Sequence, residues 1–242
     1  MIKIELKDIH FSYQTGDNSY IPVLKNLNAS VNSGEIIGLI GKNGSGKSTL
    51  LNILKGDLTP QKGIINVFID NNRISQREHY IPLVSQTVDS NLFPSLTVFE
   101  NFCVIKEKKH PFCFYNSHAK RESCNEILLK ANMNLESKID EQVRFLSGGQ
   151  KQAISILFAL EYEYPILLMD EPTASLDPFV SENIIELSRN EILERKGILI
   201  LVSHNLNDIL KYTENIFILS EGGLRMLPNS KNLQEIDLMK LM

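Results

Sequence analysis

Gly41-Lys42-Asn43-Gly44-Ser45-Gly46-Lys47-Ser48-Thr49 is the stretch that decides the fold. It fits G-x-x-x-x-G-K-[ST], a loop whose glycines let the backbone wrap a phosphate with its N–H groups. Such a loop needs a strand before it and a helix after it, and both are in place. Residues 35–40 form an apolar strand bounded by Gly34 and Gly41. Over 48–55, Leu50, Leu51 and Leu54 make the apolar side of a helix. The helix start adds the positive end of its dipole. Lys47 is then placed to reach the β- and γ-phosphates, and the Ser48 hydroxyl to sit on Mg²⁺. By itself the loop says only nucleoside triphosphate. Kinases, GTPases, helicases and transport ATPases all satisfy it.

Outward from the loop, short strand-like runs occupy 2–9 and 23–31 on one side and 64–69 and 81–84 on the other. The middle differs. Residues 87–145 carry all three cysteines, Cys103, Cys113 and Cys124, and a polar, aromatic-rich stretch at 106–117. Here Cys124, Ile127, Leu128, Ala131 and Leu135 fall on one apolar helix face. From Pro165 strand and helix alternate again. Residues 166–169 and 197–202 are continuous apolar runs of the kind buried in parallel sheets, with Val180, Ile184 and Leu187 at helical spacing between them. The pattern is an α/β core interrupted by a mostly helical insertion.

The run at 166–169 ends in Asp170-Glu171. Adjacent carboxylates at the end of a buried strand repel one another and lose hydration. A divalent cation and a water nucleophile give them a purpose. Asp170 suits the metal through a water, and Glu171 suits general-base or water-positioning work at the γ-phosphate. The plainer reading is a pair of solvated acids at a turn before Pro172.

Composition excludes several classes. The 242 residues are 43% hydrophobic and 22% charged, which rules out a disordered or collagen-like chain. The net charge of −4 gives no reason to expect nucleic acid. No apolar run approaches the ~20 residues of a membrane-spanning helix. The alternating start, Met-Ile-Lys-Ile-Glu-Leu-Lys-Asp, reads as a strand and not as a signal peptide, so a cytoplasmic chain is expected. The cysteines show no C-x-x-C, and adding His110 and His118 matches no common zinc spacing.

Leu146-Ser147-Gly148-Gly149-Gln150 narrows the class: it resembles the signature of ATP-binding cassette (ABC) ATPases. The rest of that family's pattern follows in order. Tyr13 stands where an aromatic stacks on adenine, Gln86 resembles the Q-loop glutamine, Ser175-Leu176-Asp177 the D-loop, and His204 the switch histidine. The resemblance spans about residues 3–225. It implies a P-loop NTPase core of mixed sheet and flanking helices, an N-terminal antiparallel β-subdomain and an inserted α-helical subdomain. The expected division is 1–86 and 164–222 for the nucleotide-binding core, 87–163 for the helical part and 223–242 for a short C-terminal tail.

It also implies roles. Two cassettes dimerise head to tail around two ATPs. Ser147, Gly148, Gly149 and Gln150 of one bind the γ-phosphate held by the other's loop, and Asp177 belongs to the same contact. Gln86 contacts Mg²⁺ and water, Glu171 polarises the attacking water, and His204 contacts the γ-phosphate. Each has a local alternative: Tyr13 as a sheet aromatic beside Phe11, Gln86 as a loop amide, Ser147 as a helix cap, His204 as a strand-end cap. The family commonly carries arginines after the signature, where this chain reads Lys151-Gln152-Ala153 and Leu157-Phe158-Ala159-Leu160. That detail resembles importer cassettes working with a solute-binding protein. Leu92-Phe93-Pro94-Ser95-Leu96-Thr97 resembles the segment that meets a membrane permease. The expected partners are therefore a second cassette, identical or not, separate permease chains and possibly a binding protein. The alternative is an ABC-type ATPase acting on DNA or the ribosome. Against it, the stretch between loop and signature holds no sustained heptads.

Overall fold

The computed structural model describes every residue except 78–79, 86–91, 108–116, 163, 174, 229–232 and 242. Gln86, His110 and Cys113 thus lie outside the described residues. Along the chain run β1 (Ile2–Gln14), β2 (Tyr20–Asn32), β3 (Ile36–Ile40), α1 (Lys47–Lys55), β4 (Lys62–Ile69), β5 (Asn72–Arg73) and β6 (Leu83–Val84). Then come α2 (Val98–Glu107), α3 (Ser117–Leu129) and α4 (Gly148–Leu160). They are followed by β7 (Ile166–Asp170), α5 (Pro178–Glu194), β8 (Ile198–Val202), α6 (Leu206–Tyr212), β9 (Asn215–Ser220), β10 (Gly223–Leu227) and α7 (Glu235–Leu241). Contacts divide the chain into two compact units, one of residues 1–83, 164–171 and 192–242, the other of 84–163 and 172–191.

In the first unit, the alternating start of the chain folds as the alternation dictates. Ile2, Ile4 and Leu6 of β1 are buried, while Lys3, Glu5 and Lys7 face the other way. The Lys3 and Lys7 amines lie 2.7 and 3.1 Å from the Glu5 carboxylate and hold its carboxyl down at about 2. β1 pairs antiparallel with β2 and β4, giving the order β2-β1-β4-β5. Asp70 and Asn71, at φ 49° and 66°, make the left-handed two-residue turn that joins β4 to β5.

The second sheet has the order β10-β9-β3-β8-β7-β6. β3 is flanked by parallel β8 and β9, and β8 by parallel β7. β3 and β8 are buried at every residue, which is why they read as unbroken apolar runs. Because these strands are parallel, the loops after Ile40, Val202 and Asp170 leave from one edge of the sheet, where α/β folds bind ligands. The sequence pattern shows no element at 223–227. The structure places β10 there, paired antiparallel with β9, and buries Leu238 of α7.

In the second unit α2, α3 and α4 pack together, with the rings of Phe102 and Phe158 5.5 Å apart. The apolar face read at Cys124, Ile127, Leu128, Ala131 and Leu135 is buried throughout, but it is not one helix. α3 stops at Leu129, Asn132 and Asn134 each take φ 54°, and Leu135 opens a separate 3₁₀ turn. Asparagine tolerates the left-handed conformation that ends a helix. A capping box starts α2: Thr97 N–H donates to Glu100 at 2.7 Å, and Glu100 N–H to the Thr97 hydroxyl at 3.1 Å. Asn101, 1% exposed, accepts from Phe93 N–H at 2.7 Å and donates to the carbonyls of Phe93 and Thr97 at 3.1 and 2.9 Å. It pins the 93–97 loop to α2.

Candidate functional site

The phosphate loop hangs from the end of β3 and turns into α1. Gly46 caps α1 at φ 104°, with no side chain bonded to the helix start and no acid in the first turn. The first N–H groups of α1 are therefore free for an anion. An alanine at Gly46 would place its Cβ 2.7 Å from Val23 Cγ1 and 2.9 Å from Leu24 Cδ2, so β2 closes down on the loop where only glycine fits. Inside the loop Lys47, 8% exposed, donates to the carbonyls of Gly41 and Lys42 at 2.8 and 3.2 Å. Burial pushes its amine below the ordinary lysine value, and the carboxylates of Glu171 and Asp170 oppose that shift. The Ser45 hydroxyl is buried without a hydrogen-bond partner. Lys42, Asn43, Gly44 and Ser48 are exposed, while Thr49 is buried. A buried cation, an orphaned hydroxyl and uncapped N–H groups form a cradle suited to phosphate oxygens.

Tyr13 stands near the end of β1, beside this loop. Its hydroxyl is 3.2 Å from the Thr49 hydroxyl, and Phe11 packs edge-on against its ring with centroids 5.0 Å apart. Tyr13 keeps 44% of its surface exposed, as a stacking platform requires.

The acids follow two strands away in the same sheet. Asp170 closes β7, and Glu171 turns out of the strand at φ 53°, a conformation that costs a non-glycine residue about 1–3 kcal/mol. Its N–H donates to the Val202 carbonyl at 3.0 Å, which holds the turn. Glu171 Oε1 then lies 2.7 Å from His204 Nε2. His204 is exposed, and the hydrogen bonds of Asn205 fix its loop: Asn205 N–H donates to the Ser203 hydroxyl at 3.1 Å, and the Asn205 side chain accepts from Asn207 N–H at 3.1 Å. The oxygen donors of Ser48 and Asp170 are hard ligands of the kind Mg²⁺ takes, with phosphate and water completing its shell.

The signature segment and Asp177 belong to the second unit. Ser147 caps α4 in a reciprocal box: its hydroxyl accepts from Gln150 N–H at 3.2 Å, and Gln150 Oε1 accepts from Ser147 N–H at 3.0 Å. Ser147 and Gly148 remain exposed, while α4 is buried from Gln152 on. A Cβ on Gly149 would come 3.1 Å from the Ser175 carbonyl, so the glycine lets the 175–177 turn sit against the signature. Asp177 caps α5, accepting from Val180 N–H at 3.1 Å. Sequence reasoning missed Ser175 as a packing partner, and Val23 and Leu24 as the floor under Gly46. Their contacts come from strand pairing and chain reversal, which leave no local spacing to read.

The chain matches the family model described as "ABC transporter" over residues 24–174. It is 30% identical to the Tyrosine transport ATP-binding protein of Clostridioides difficile (strain R20291), covering 90% of this chain and 89% of that one. It is 31% identical to the Energy-coupling factor transporter ATP-binding protein EcfA1 of Mesomycoplasma hyopneumoniae (strain 7448), covering 96% and 85%. Among solved structures it is similar to the ATP-binding cassette MJ0796 in a dimeric post-hydrolysis state bound to ADP and Pi. That match has a TM-score of 0.81 and 30% identity, and covers 93% of this chain and 98% of that one.

Proposed function

This chain belongs to the ABC transporter family as an ATP-binding, ATP-hydrolysing subunit, and from that premise we propose that its chemistry is carried by the residues gathered at one edge of the parallel sheet. The supporting observation is the 2.7 Å contact of Glu171 with His204, at the strand edge that also bears Lys47. Tyr13 stacks on the adenine. The N–H groups from Gly41 to Thr49, with Lys42, Asn43, Gly44, Ser45 and Gly46 between them, wrap the phosphates. Lys47 gives up its two loop carbonyls for the β- and γ-phosphate oxygens, a stronger charge-assisted bond. Glu171, oriented by His204, positions and deprotonates the attacking water. Gln86 and His204 contact the γ-phosphate region. Ser48, Asp170 and Gln86 would hold Mg²⁺, which would supply charge neutralisation at the phosphates.

Completion of the site by a second cassette belongs to the same proposal. The start of α4 supports it: Ser147 and Gly148 are exposed, Gly149 and Gln150 are half-buried, and the capping box takes only the Ser147 and Gln150 N–H groups, which leaves those of Gly148 and Gly149 for a phosphate supplied in trans. Asp177 sits at that contact. The dimeric state of the similar cassette supports pairing with a second cassette, identical or not, which we place head to tail. No helix among the described residues is long and apolar enough to cross a membrane. The likeness to transport ATP-binding proteins supports a subunit that works at the cytoplasmic face on separate permease chains, in an importer that uses a solute-binding protein. Residues 1–86 and 164–222 act as the nucleotide-binding core, 87–163 as the part that meets the permease, and 223–242 as a short tail on the core. No observation favours the reading as an ATPase acting on DNA or the ribosome.

The test is Glu171→Gln. Phosphate release should stop while ATP affinity is kept, and light scattering should show an ATP-dependent dimer. Steady-state hydrolysis at the parent rate would remove Glu171 from its role.

A further inference from the structure

His204 is exposed, so packing does not set the direction of its ring. The chain around it does. Val202 ends β8, and its carbonyl accepts the Glu171 N–H at 3.0 Å, so the backbone just before His204 is already tied to the turn that carries the acid. Ser203 and Asn205, the residues on either side of His204, both bond to Asp208 in the first turn of α6. Asn205 Nδ2 donates to Asp208 Oδ1 at 3.1 Å, and the Ser203 hydroxyl donates to Asp208 Oδ2 at 3.4 Å. The same hydroxyl accepts from Asn205 N–H at 3.1 Å, which closes a ring of hydrogen bonds through Ser203, Asn205 and Asp208. The Asn205 amide is held at both ends, since its Oδ1 accepts from Asn207 N–H at 3.1 Å. One carboxylate therefore sets the two side chains around the histidine whose Nε2 lies 2.7 Å from Glu171 Oε1. An acid in the first turn of a helix is ordinarily explained by the helix dipole. The dipole asks only for negative charge; it does not ask for one oxygen bonded on each side of a histidine.

We propose that Asp208 is a positioning residue for ATP hydrolysis, locking the loop that aims His204 at Glu171. The inference rests on the proposed roles of Glu171 and His204 at the attacking water. Without the carboxylate, Asn205 Nδ2 and the Ser203 hydroxyl turn to water, and the 203–205 backbone gains freedom where an exposed histidine depends on that backbone for its direction. ATP itself is held by the loop from Gly41 to Thr49 and by Tyr13, so the loss of Asp208 acts on turnover and not on affinity.

The experiment compares Asp208→Ala and Asp208→Asn with the parent chain in kcat and KM for ATP and in affinity for a non-hydrolysable ATP analogue, all below the lowest thermal midpoint of the three. Glu171→Gln serves as the control. Asparagine gives up the charge but keeps an acceptor oxygen for Asn205 Nδ2. Asp208→Ala should lower kcat by about tenfold or more, as misplacement of a catalytic group does. KM and analogue affinity should stay within about twofold, because no nucleotide contact is lost. Asp208→Asn should recover kcat to within about threefold of the parent, because the bond and not the charge does the positioning. Parent-level kcat in Asp208→Ala beside an inactive Glu171→Gln would overturn this inference alone. Equally lowered kcat in both Asp208 variants would do the same, since it makes the charge the cause. Parallel losses of affinity and kcat in Asp208→Ala would mark a structural residue and also overturn it. An active Glu171→Gln would overturn the site reading beneath it. Should Asp208→Ala not fold, Asp208→Ser carries the same readouts, its single hydroxyl being too short to span both bonds. Failure of both to fold likewise marks a structural residue.

Discussion

Replacing Gly46 by alanine puts a methyl group where φ is 104° and where Val23 Cγ1 and Leu24 Cδ2 already stand 2.7 and 2.9 Å away. Two costs add. A left-handed backbone costs an L-residue about 1–2 kcal/mol. Forcing a methyl into a filled site costs about 1–3 kcal/mol more. The neighbours have little room to yield, since Leu24 is 1% exposed and paired across to Phe11 of β1. Gly44 isolates the first cost: its φ is 78°, yet a Cβ there meets nothing within 4 Å. Gly44→Ala should therefore lose only the backbone term. The two variants should differ by the clash, about 1–3 kcal/mol. For a chain of this size that is about 2–12 °C in thermal midpoint, Gly46→Ala melting lower. Melting of both nucleotide-free proteins by circular dichroism measures it. Equal midpoints, or a lower one for Gly44→Ala, would refute the claim that β2 closes the loop from beneath.

Lys47→Ala should weaken ATP binding by about 10- to 100-fold, the worth of charge-assisted bonds to phosphate. Parent-level affinity in equilibrium binding would unseat the phosphate-loop assignment. Asn101→Leu leaves the Phe93 N–H unpaired, while the Phe93 and Thr97 carbonyls keep their bonds from the backbone N–H groups of residues 96 and 101, and should cost about 1–3 kcal/mol in urea unfolding; a loss under about 0.5 kcal/mol would contradict its role as the pin of the 93–97 loop. Burial, with Cys103 nearby, pushes the Cys124 thiol from 9.0 up to about 12. A thiol reagent at pH 8 should therefore leave Cys124 unlabelled in the folded chain and modify it in denaturant, as read by peptide mass spectrometry. The unfolded chain releases that proton first, so stability should fall as pH rises from 9 towards 12, and less steeply in Cys124→Ala.

Much of the molecule is written in local patterns. Gly41 to Thr49 specify a loop because glycine spacing, the preceding apolar run and the following helix act within a few residues of one another. The acids at 170 and 171 announce themselves because an apolar strand ends on them. Apolar runs at β3, β7 and β8 read as buried strands, and the alternation of β1 reads as half-buried. Ser147 and Gln150 are a capping box visible from spacing alone. The helix read through Leu135 shows the limit. Apolar spacing continued past Leu129, but two asparagines in the left-handed region ended the helix, and burial kept the pattern alive without it.

What the sequence by itself determined is which segments carry chemistry and what each can bind. Only the tertiary structure decided which of them meet. The order β3-β8-β7 is a matter of long-range pairing that no local spacing encodes, and it brings Lys47, His204 and Glu171 to one edge of a parallel sheet. The same holds for Val23 and Leu24 beneath Gly46, for Ser175 against Gly149, and for Gln152 reaching Ser85. Backbone conformation is a local property of a few residues, while adjacency is bought by burying apolar surface across the whole core.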